Sequence, residues 1–182
     1  MKKRNIFWLL VGLLALSRIA QAACNANIPL TRPDSRYEAV TGATPAGSEV
    51  RDKVTGLVWQ RCVVGMLWDG TTCTGTASTH DWQQALEVAR NATASTAATG
   101  ATAAWRVPNI IELFSLGERA CYIPAINTTW FPATPTDRSF WSSSPFRDLP
   151  PNFVLVFDTQ YGYITNTSKD DRVYVRLVRA GQ

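Results

Sequence analysis

The four cysteines of this 182-residue chain, Cys24, Cys62, Cys73 and Cys121, all follow a leader with the grammar of an export signal. Lys2, Lys3 and Arg4 make a positive start, Ile6 to Leu16 is an eleven-residue apolar run, and Ala20-Gln21-Ala22 is an A-x-A cleavage signature. A membrane-spanning helix needs about 20 apolar residues, and Arg18 interrupts this run too early. Residues 1–22 therefore read as a signal peptide, so that the mature chain would start at Ala23 in the periplasm or the medium. An uncleaved anchor and a lipid-modified Cys24 are the alternatives; Gln21 stands where a lipoprotein signal usually carries Leu. An even cysteine count in an exported chain reads as two disulfides. Of the three possible pairings, Cys62–Cys73 with Cys24–Cys121 is preferred. The first closes a short loop rich in Gly, Thr and Trp, and the second pins the N-terminal arm to the middle of the chain. Loop entropy gives the short bridge about 3 kcal/mol and the long one about 4–5 kcal/mol. Cysteine-bound metal fits poorly, because zinc sites favour closely spaced cysteines and often histidine. Here the nearest cysteine pair is separated by ten residues, and His80 is the only histidine.

The leader also accounts for the basic charge. The formal charge is +4, and Lys2, Lys3, Arg4 and Arg18 supply four of the 18 basic residues; the remaining 14 balance 14 acids. A neutral mature domain has no global field for a polyanion, which argues against nucleic-acid binding. With 46% hydrophobic and 18% charged residues the chain can bury a core, and its length suits one domain.

Residues 23–48 hold Pro29, Pro33 and Pro45 without a clear period and read as an extended N-terminal arm ahead of a domain over 49–182. Leu57 to Cys62 reads as a strand, and Val63 to Thr76, broken by Gly65, Gly70 and Gly75, as a loop. Ser78 to Asp81 has the spacing of a helix start, placing His80 in a first turn. Trp82, Ala85, Leu86 and Ala89 follow as one apolar stripe, with fraying expected after Arg90. A second helix is expected at Asn109, where Asn109 and Glu112 have capping-box spacing and Gly117 gives the stop. Phe140 to Ser143, Phe153 to Phe157, Tyr161 to Asn166 and Val173 to Val178 read as strands. In the last, Val173, Val175 and Leu177 share one face while Tyr174 and Arg176 share the other. The order is α+β.

Seven blocks in this order, TGLVWQRC, WDGTTCTG, DWQQAL, WRVPNIIEL, PAINTTWFP, FWSSSP and VYVRLVR, span about Val50 to Arg179. Together they resemble the Lcl C-terminal domain family, named from a bacterial collagen-like adhesin. The resemblance implies a C-type-lectin-like α+β fold, with two helices packed on a small, irregular antiparallel sheet and long loops. Cys62, Cys73 and Cys121 fall where many members carry cysteine. The name-giving member binds sulfated glycans as a trimer behind a collagen-like stalk, but this chain has 11 Gly and no Gly-x-y run.

Chemistry-bearing constellations are sparse. The calcium-binding motifs of lectins of this fold do not occur, and Asp170-Asp171 reads as a solvated turn, so no metal or other cofactor is expected. His80 has no nucleophile elbow near it in sequence, and Ser142-Ser143-Ser144 has no evident activator. The fold also resembles formylglycine-generating enzymes, but these need a reactive cysteine pair late in the chain, and no cysteine follows Cys121. No catalytic residue is expected. Trp59, Trp82, Trp105 and Trp141 read as core, whereas Trp68, Trp130, Phe146, Tyr161 and Tyr163 fall in or near loops. Exposed rings can face a sugar, and arginine forks can take sulfate or carboxylate. Arg138, Arg147, Tyr161, Tyr163 and Arg172 are the expected ligand-binding residues, with a glycan or a surface protein as the expected partner. The reading is an exported, non-enzymatic binding module; a structural or protein-interaction domain of a surface assembly is the alternative, and an enzyme of unrecognised type a remote one.

Overall fold

The computed structural model describes residues 22–98, 104–147 and 151–181. Residues 1–21 of the expected signal peptide lie outside the described residues. In chain order the elements are β1 (Ala23–Cys24), a 3-10 turn (Asp34–Arg36), β2 (Tyr37–Ala39), β3 (Glu49–Asp52), β4 (Leu57–Gln60), β5 (Met66–Trp68), β6 (Cys73–Gly75) and β7 (Thr79–His80). Then follow α1 (Trp82–Ala98), α2 (Ile110–Phe114), β8 (Cys121–Tyr122), β9 (Phe140–Pro145), β10 (Phe153–Asp158), β11 (Tyr163–Ser168), β12 (Val173–Tyr174) and β13 (Val178–Ala180). The class is α+β. The expected single small antiparallel sheet is instead a five-stranded sheet, ordered β11-β10-β9-β12-β7, and a four-stranded sheet, ordered β13-β4-β3-β2, with two short ribbons, β1-β8 and β5-β6. One pairing, β9 with β12, is parallel.

The C-terminal segment shows how the two sheets share a core. The single strand expected over Val173 to Val178 divides: β12 joins the five-stranded sheet, and β13 pairs with β4 in the other. Val175 and Leu177, between them, accept hydrogen bonds from Val64 and Gln60. The expected alternation persists across the division. Val173, Val175 and Leu177 enter a cluster with Val58, Ala85, Trp105, Trp141 and Val156. Tyr174 and Val178 enter a second cluster with Tyr37, Trp59, Leu113, Phe131, Phe140 and Phe157. Both faces of this segment are therefore closed, and Arg176 is 1% exposed. Of the four tryptophans expected in the core, Trp59, Trp105 and Trp141 are buried, while Trp82 is half-buried.

The first helix starts three residues later than expected, at Trp82. Asp81 is its cap: Asp81 Oδ1 accepts from the Gln84 amide at 2.8 Å, and Gln84 Oε1 accepts from the Asp81 amide at 3.3 Å. The reciprocal box is Asp-x-x-Gln, not Ser-x-x-Asp. His80 consequently belongs to β7, opposite Val173, and not to a helical turn. Nor does α1 end at Arg90; it reaches Ala98, and Thr93 Oγ1 donates to Ala89 O and to Trp105 O, tying the Ala/Thr turn to the core.

The second helix carries both halves of the expected box. Asn109 Oδ1 accepts from the Glu112 amide at 2.8 Å, and Glu112 Oε2 accepts from the Asn109 amide at 2.9 Å. The helix is shorter than Gly117 implied, ending at Phe114 with Ser115 as C-cap. Glu112 is also gripped by the Arg106 fork, with both contacts at 2.6 Å. Glu112→Ala removes the box and this pair together, and a loss of about 1–2 kcal/mol is expected. An unchanged melting midpoint would contradict it.

The N-terminal segment is built into the fold. The buried Glu118 carboxylate accepts from the amides of Thr31, Arg32 and Ala120 and from Thr31 Oγ1. Tyr37, 3% exposed, begins β2, which extends the four-stranded sheet along β3. Cys24 is bonded to Cys121, and Cys62 to Cys73, the preferred pairing. The segment 63–76 read as loop contains the β5-β6 hairpin. At its base Gly65 has φ +93°, and a Cβ there would lie 2.7 Å from Ser78 N and Thr76 O. Only glycine fits such a position.

Candidate functional site

The exposed rings gather where β8 meets the β10-β11 turn. Ile123 N donates to Gln160 O at 2.7 Å and Ala125 N to Thr159 O at 2.6 Å, laying the segment after β8 beside the turn. The turn is held by Asp158, whose Oδ1 accepts from the Tyr161 amide and whose carbonyl accepts from the Gly162 amide. Gly162 has φ +77°, and a Cβ there would come within 3.0 Å of the Ala125 side chain, so glycine lets the turn sit down. The result brings three tyrosines to one corner: Tyr122 at 51%, Tyr161 at 59% and Tyr163 at 49% exposure. Ile164 is also exposed. The Cys24–Cys121 bridge adjoins the corner, since Tyr122 pairs with Ala23 in the ribbon that the bridge closes.

The expected arginines do not converge on these rings. The antiparallel register of β10 on β9 and the parallel register of β12 on β9 put Arg138 and Arg172 at the same end of the sheet as the tyrosine turn. Three strand spacings, about 14 Å, separate β11 from β12. Arg172 is engaged inward, donating to Gln84 Oε1 and to Thr79 O at 2.8 Å each. Arg138 is exposed and donates to Arg172 O at 3.2 Å. Arg147 is exposed too, but follows β9 at the opposite end of the sheet. Tyr161 and Tyr163 are thus brought together with Tyr122, Arg138 and Arg172 with each other, and Arg147 with neither.

Two buried arginines were not singled out by the sequence reading. Arg176 donates through Nη1 to the carbonyls of Gln60 and Arg61 and through Nη2 to Thr134 Oγ1. Its guanidinium lies over the Phe131 and Phe140 rings, and burial pushes its pKa down to about 9. These contacts make it a clamp on the end of β4. Arg61, 7% exposed, lies with its guanidinium carbon 4.3 Å from the Trp68 ring centroid and 4.9 Å from that of Trp130. Burial lowers its pKa as well. Both indoles are fixed from behind, Trp68 Nε1 donating to Ala46 O and Trp130 Nε1 to Asp34 O, each at 3.1 Å. The available signal was phase: Arg61 lies two residues after the buried Trp59, on the same face of the strand segment. Trp68 also lines a groove of about 600 Å³ that includes Pro45, Glu49, Gln60, Leu67 and Trp105.

Ser78 Oγ lies 2.9 Å from His80 Nε2, a pairing that the expected helical placement of His80 did not foresee. Ser78 Oγ is hydrogen-bonded to Val64 O as well, and burial followed by the Arg172 charge lowers the His80 pKa. Asp170 and Asp171 close the β11-β12 turn, accepting from Asn152, Ser168 and Thr167. Among the described residues no cluster of three or more His, Cys, Asp or Glu could hold a metal ion. No helix of the described residues is long and apolar enough to cross a membrane.

Fold and site together define a doubly disulfide-bonded α+β domain that presents aromatic rings at its surface. The chain belongs to the Lcl C-terminal domain family, whose model matches residues 48–179. A search of curated proteins finds no match.

Proposed function

We propose that the mature chain is an exported, non-enzymatic binding module that recognises glycans at the cell surface or in the periplasm. The observation that carries this reading is the tyrosine corner. Three phenol rings, each about half exposed, lie on and beside the β10-β11 turn, Tyr122 in the β8 ribbon that a disulfide closes, and such rings offer flat apolar faces to sugar C–H groups and hydroxyls for hydrogen bonding. Rings that belonged to the core would be buried, as Trp59 and Trp141 are. Membership of a family named for an adhesin supports the reading. So do the two disulfides, which suit an oxidising compartment. The arrangement of two helices beside antiparallel strands with long connections supports a C-type-lectin-like reading of the fold.

A second reading, a protein-interaction domain of a surface assembly, draws on β11. It is an edge strand of the five-stranded sheet and carries the exposed Tyr163 and Ile164. A glycan array probed at two salt concentrations separates the two. The glycan reading expects saturable hits, with any sulfated hit weakened by salt. An array without hits, beside capture of a surface protein, would favour the second.

A further inference from the structure

We propose that β11 is an edge through which two copies of this chain pair, antiparallel and about a two-fold axis at Thr165, joining their five-stranded sheets into one. The proposal deepens the protein-interaction reading of β11, on which it rests, and names the partner as a second copy. A sheet edge exposes backbone groups that can pair with another chain, and folded proteins ordinarily blunt it with charge, proline, a bulge or short length. The other edges of the two large sheets are blunted. β7 is two residues long, β13 is bridged to Arg106, and β2 is three residues long and carries Glu38 beside Arg51. β11 is six residues, Tyr-Ile-Thr-Asn-Thr-Ser, with no charge and no proline, and it pairs with β10 without a register shift.

The phase of the hydrogen bonds fixes which groups face out. In an antiparallel pair, successive residues turn their N–H and C=O alternately toward the partner strand and away from it. Lys169 N donates to Asn152 O, so the pair just beyond the strand ends is a bonded one. Counting back through the register, Thr167, Thr165 and Tyr163 are bonded to Val154, Val156 and Asp158, while Ser168, Asn166 and Ile164 face away. Two contacts agree with this phase. Phe153 O, opposite Ser168, accepts from Phe146 N on the β9 side of β10. Ser168 turns its own groups to Asp171, its amide donating to Oδ2 and its carbonyl accepting from the Asp171 amide. The turn thus caps Ser168, whereas the backbone N–H and C=O of Ile164 and Asn166 have no partner among the described residues.

A second copy fits these groups. Centred on Thr165, the two-fold sets Ile164 opposite Asn166 of the other copy and Asn166 opposite Ile164, so every free N–H and C=O of both strands is bonded. Centring on Ile164 or on Asn166 instead sets one of these residues against Gly162 of the turn or against the capped Ser168. In the Thr165 register that threonine stands against itself, and Tyr163 stands against Thr167, with no charge on either strand to oppose the approach. The two β10-β11 turns then lie at opposite ends of the paired strands, about 20 Å apart, so each dimer carries two tyrosine corners.

The test is sedimentation equilibrium of the mature chain from about 10 µM to about 1 mM, the range suited to an interface smaller than the roughly 800 Å² per partner of stable complexes. The weight-average mass should rise from monomer toward dimer. Thr165→Lys and Thr165→Glu, each setting like charges face to face, should weaken association at least about tenfold while the melting midpoint stays within two or three degrees. An equimolar mixture of the two variants should associate at least as tightly as the unaltered chain. Should either variant fail to fold, Asn166→Pro, which removes an outward N–H and no bond to β10, takes its place. The proposal falls if the unaltered chain stays monomeric at the highest concentration, if it forms trimers, if the folded Thr165 variants associate unchanged, or if their mixture stays monomeric. A monomeric chain whose capture of a surface protein is lost in Thr165→Lys overturns the second copy and keeps the protein-interaction reading of β11; a monomeric chain whose capture is unchanged overturns both.

Discussion

Trp141→Ala is expected to cost about 3–5 kcal/mol, and to lower the melting midpoint by about 10 °C or more. The ring is fully buried in β9, within the cluster that also holds Val58, Trp105, Val154 and Val175. Truncation leaves a cavity that its neighbours, on several different elements, cannot all move to fill. It also removes the donor to His80 O, a hydrogen bond of 2.7 Å that holds β7 at the end of the five-stranded sheet. A small domain has only about 5–15 kcal/mol to lose. Thermal unfolding followed by circular dichroism measures the shift. A midpoint within two or three degrees of the unaltered chain, roughly the effect of 1 kcal/mol, would contradict the placement of this ring in the core.

Asp52→Asn is expected to have an effect of the same size, for an electrostatic reason. Asp52 is 0% exposed and takes the Arg36 fork, at 2.8 Å from Nε and 2.5 Å from Nη2. It also accepts from the Val54 amide and from Thr55 Oγ1, closing the turn between β3 and β4. Burial acts to raise its pKa, but the hydrogen bonds from Arg36, Thr55 and Val54 outweigh burial, and the carboxyl is held below its ordinary value. The asparagine leaves Arg36 buried without its counter-charge, which costs about 3–5 kcal/mol. Because the folded pKa is the lower one, the stabilisation is complete above the unfolded value near 4 and is lost as pH falls toward the folded value. Denaturant titrations at pH 7 and near pH 3 test both parts. The variant should be much less stable at pH 7 and should lose less than the unaltered chain on acidification. Equal stabilities at pH 7 would contradict the account.

How far the sequence was legible depended on how local each signal was. The box at Asn109 and Glu112 needs only residues three apart, and it formed as read. The disulfide framework followed from an even count of cysteines after a leader. The hairpin β5-β6 escaped because each strand is three residues long, too short for alternation to show, while Gly65, Gly70 and Gly75 advertise turns. β2 escaped similarly, and its role depends on β3, ten residues further on. The division of the C-terminal segment could not be read because both halves are apolar. Their partners, β7 and β4, lie some hundred residues upstream. Arg61 and Arg176 were passed over because arginine in a strand ordinarily marks the solvent face. Here tertiary packing closes both faces. The tyrosine corner was half legible: Tyr161 and Tyr163 stood out as loop rings, but Tyr122 joins them only through the contact of Ile123 with Gln160.

The central claim is that the tyrosine corner binds glycan, and the double variant Tyr161→Ala with Tyr163→Ala tests it most directly. Both rings are about half exposed, so removing them should leave the melting midpoint within two or three degrees of the unaltered chain. On a glycan array the unaltered mature chain should show saturable binding, and the double variant should lose at least about tenfold in affinity, in the range expected for rings that stack on a ligand. Binding by the folded double variant equal to that of the unaltered chain would contradict the claim.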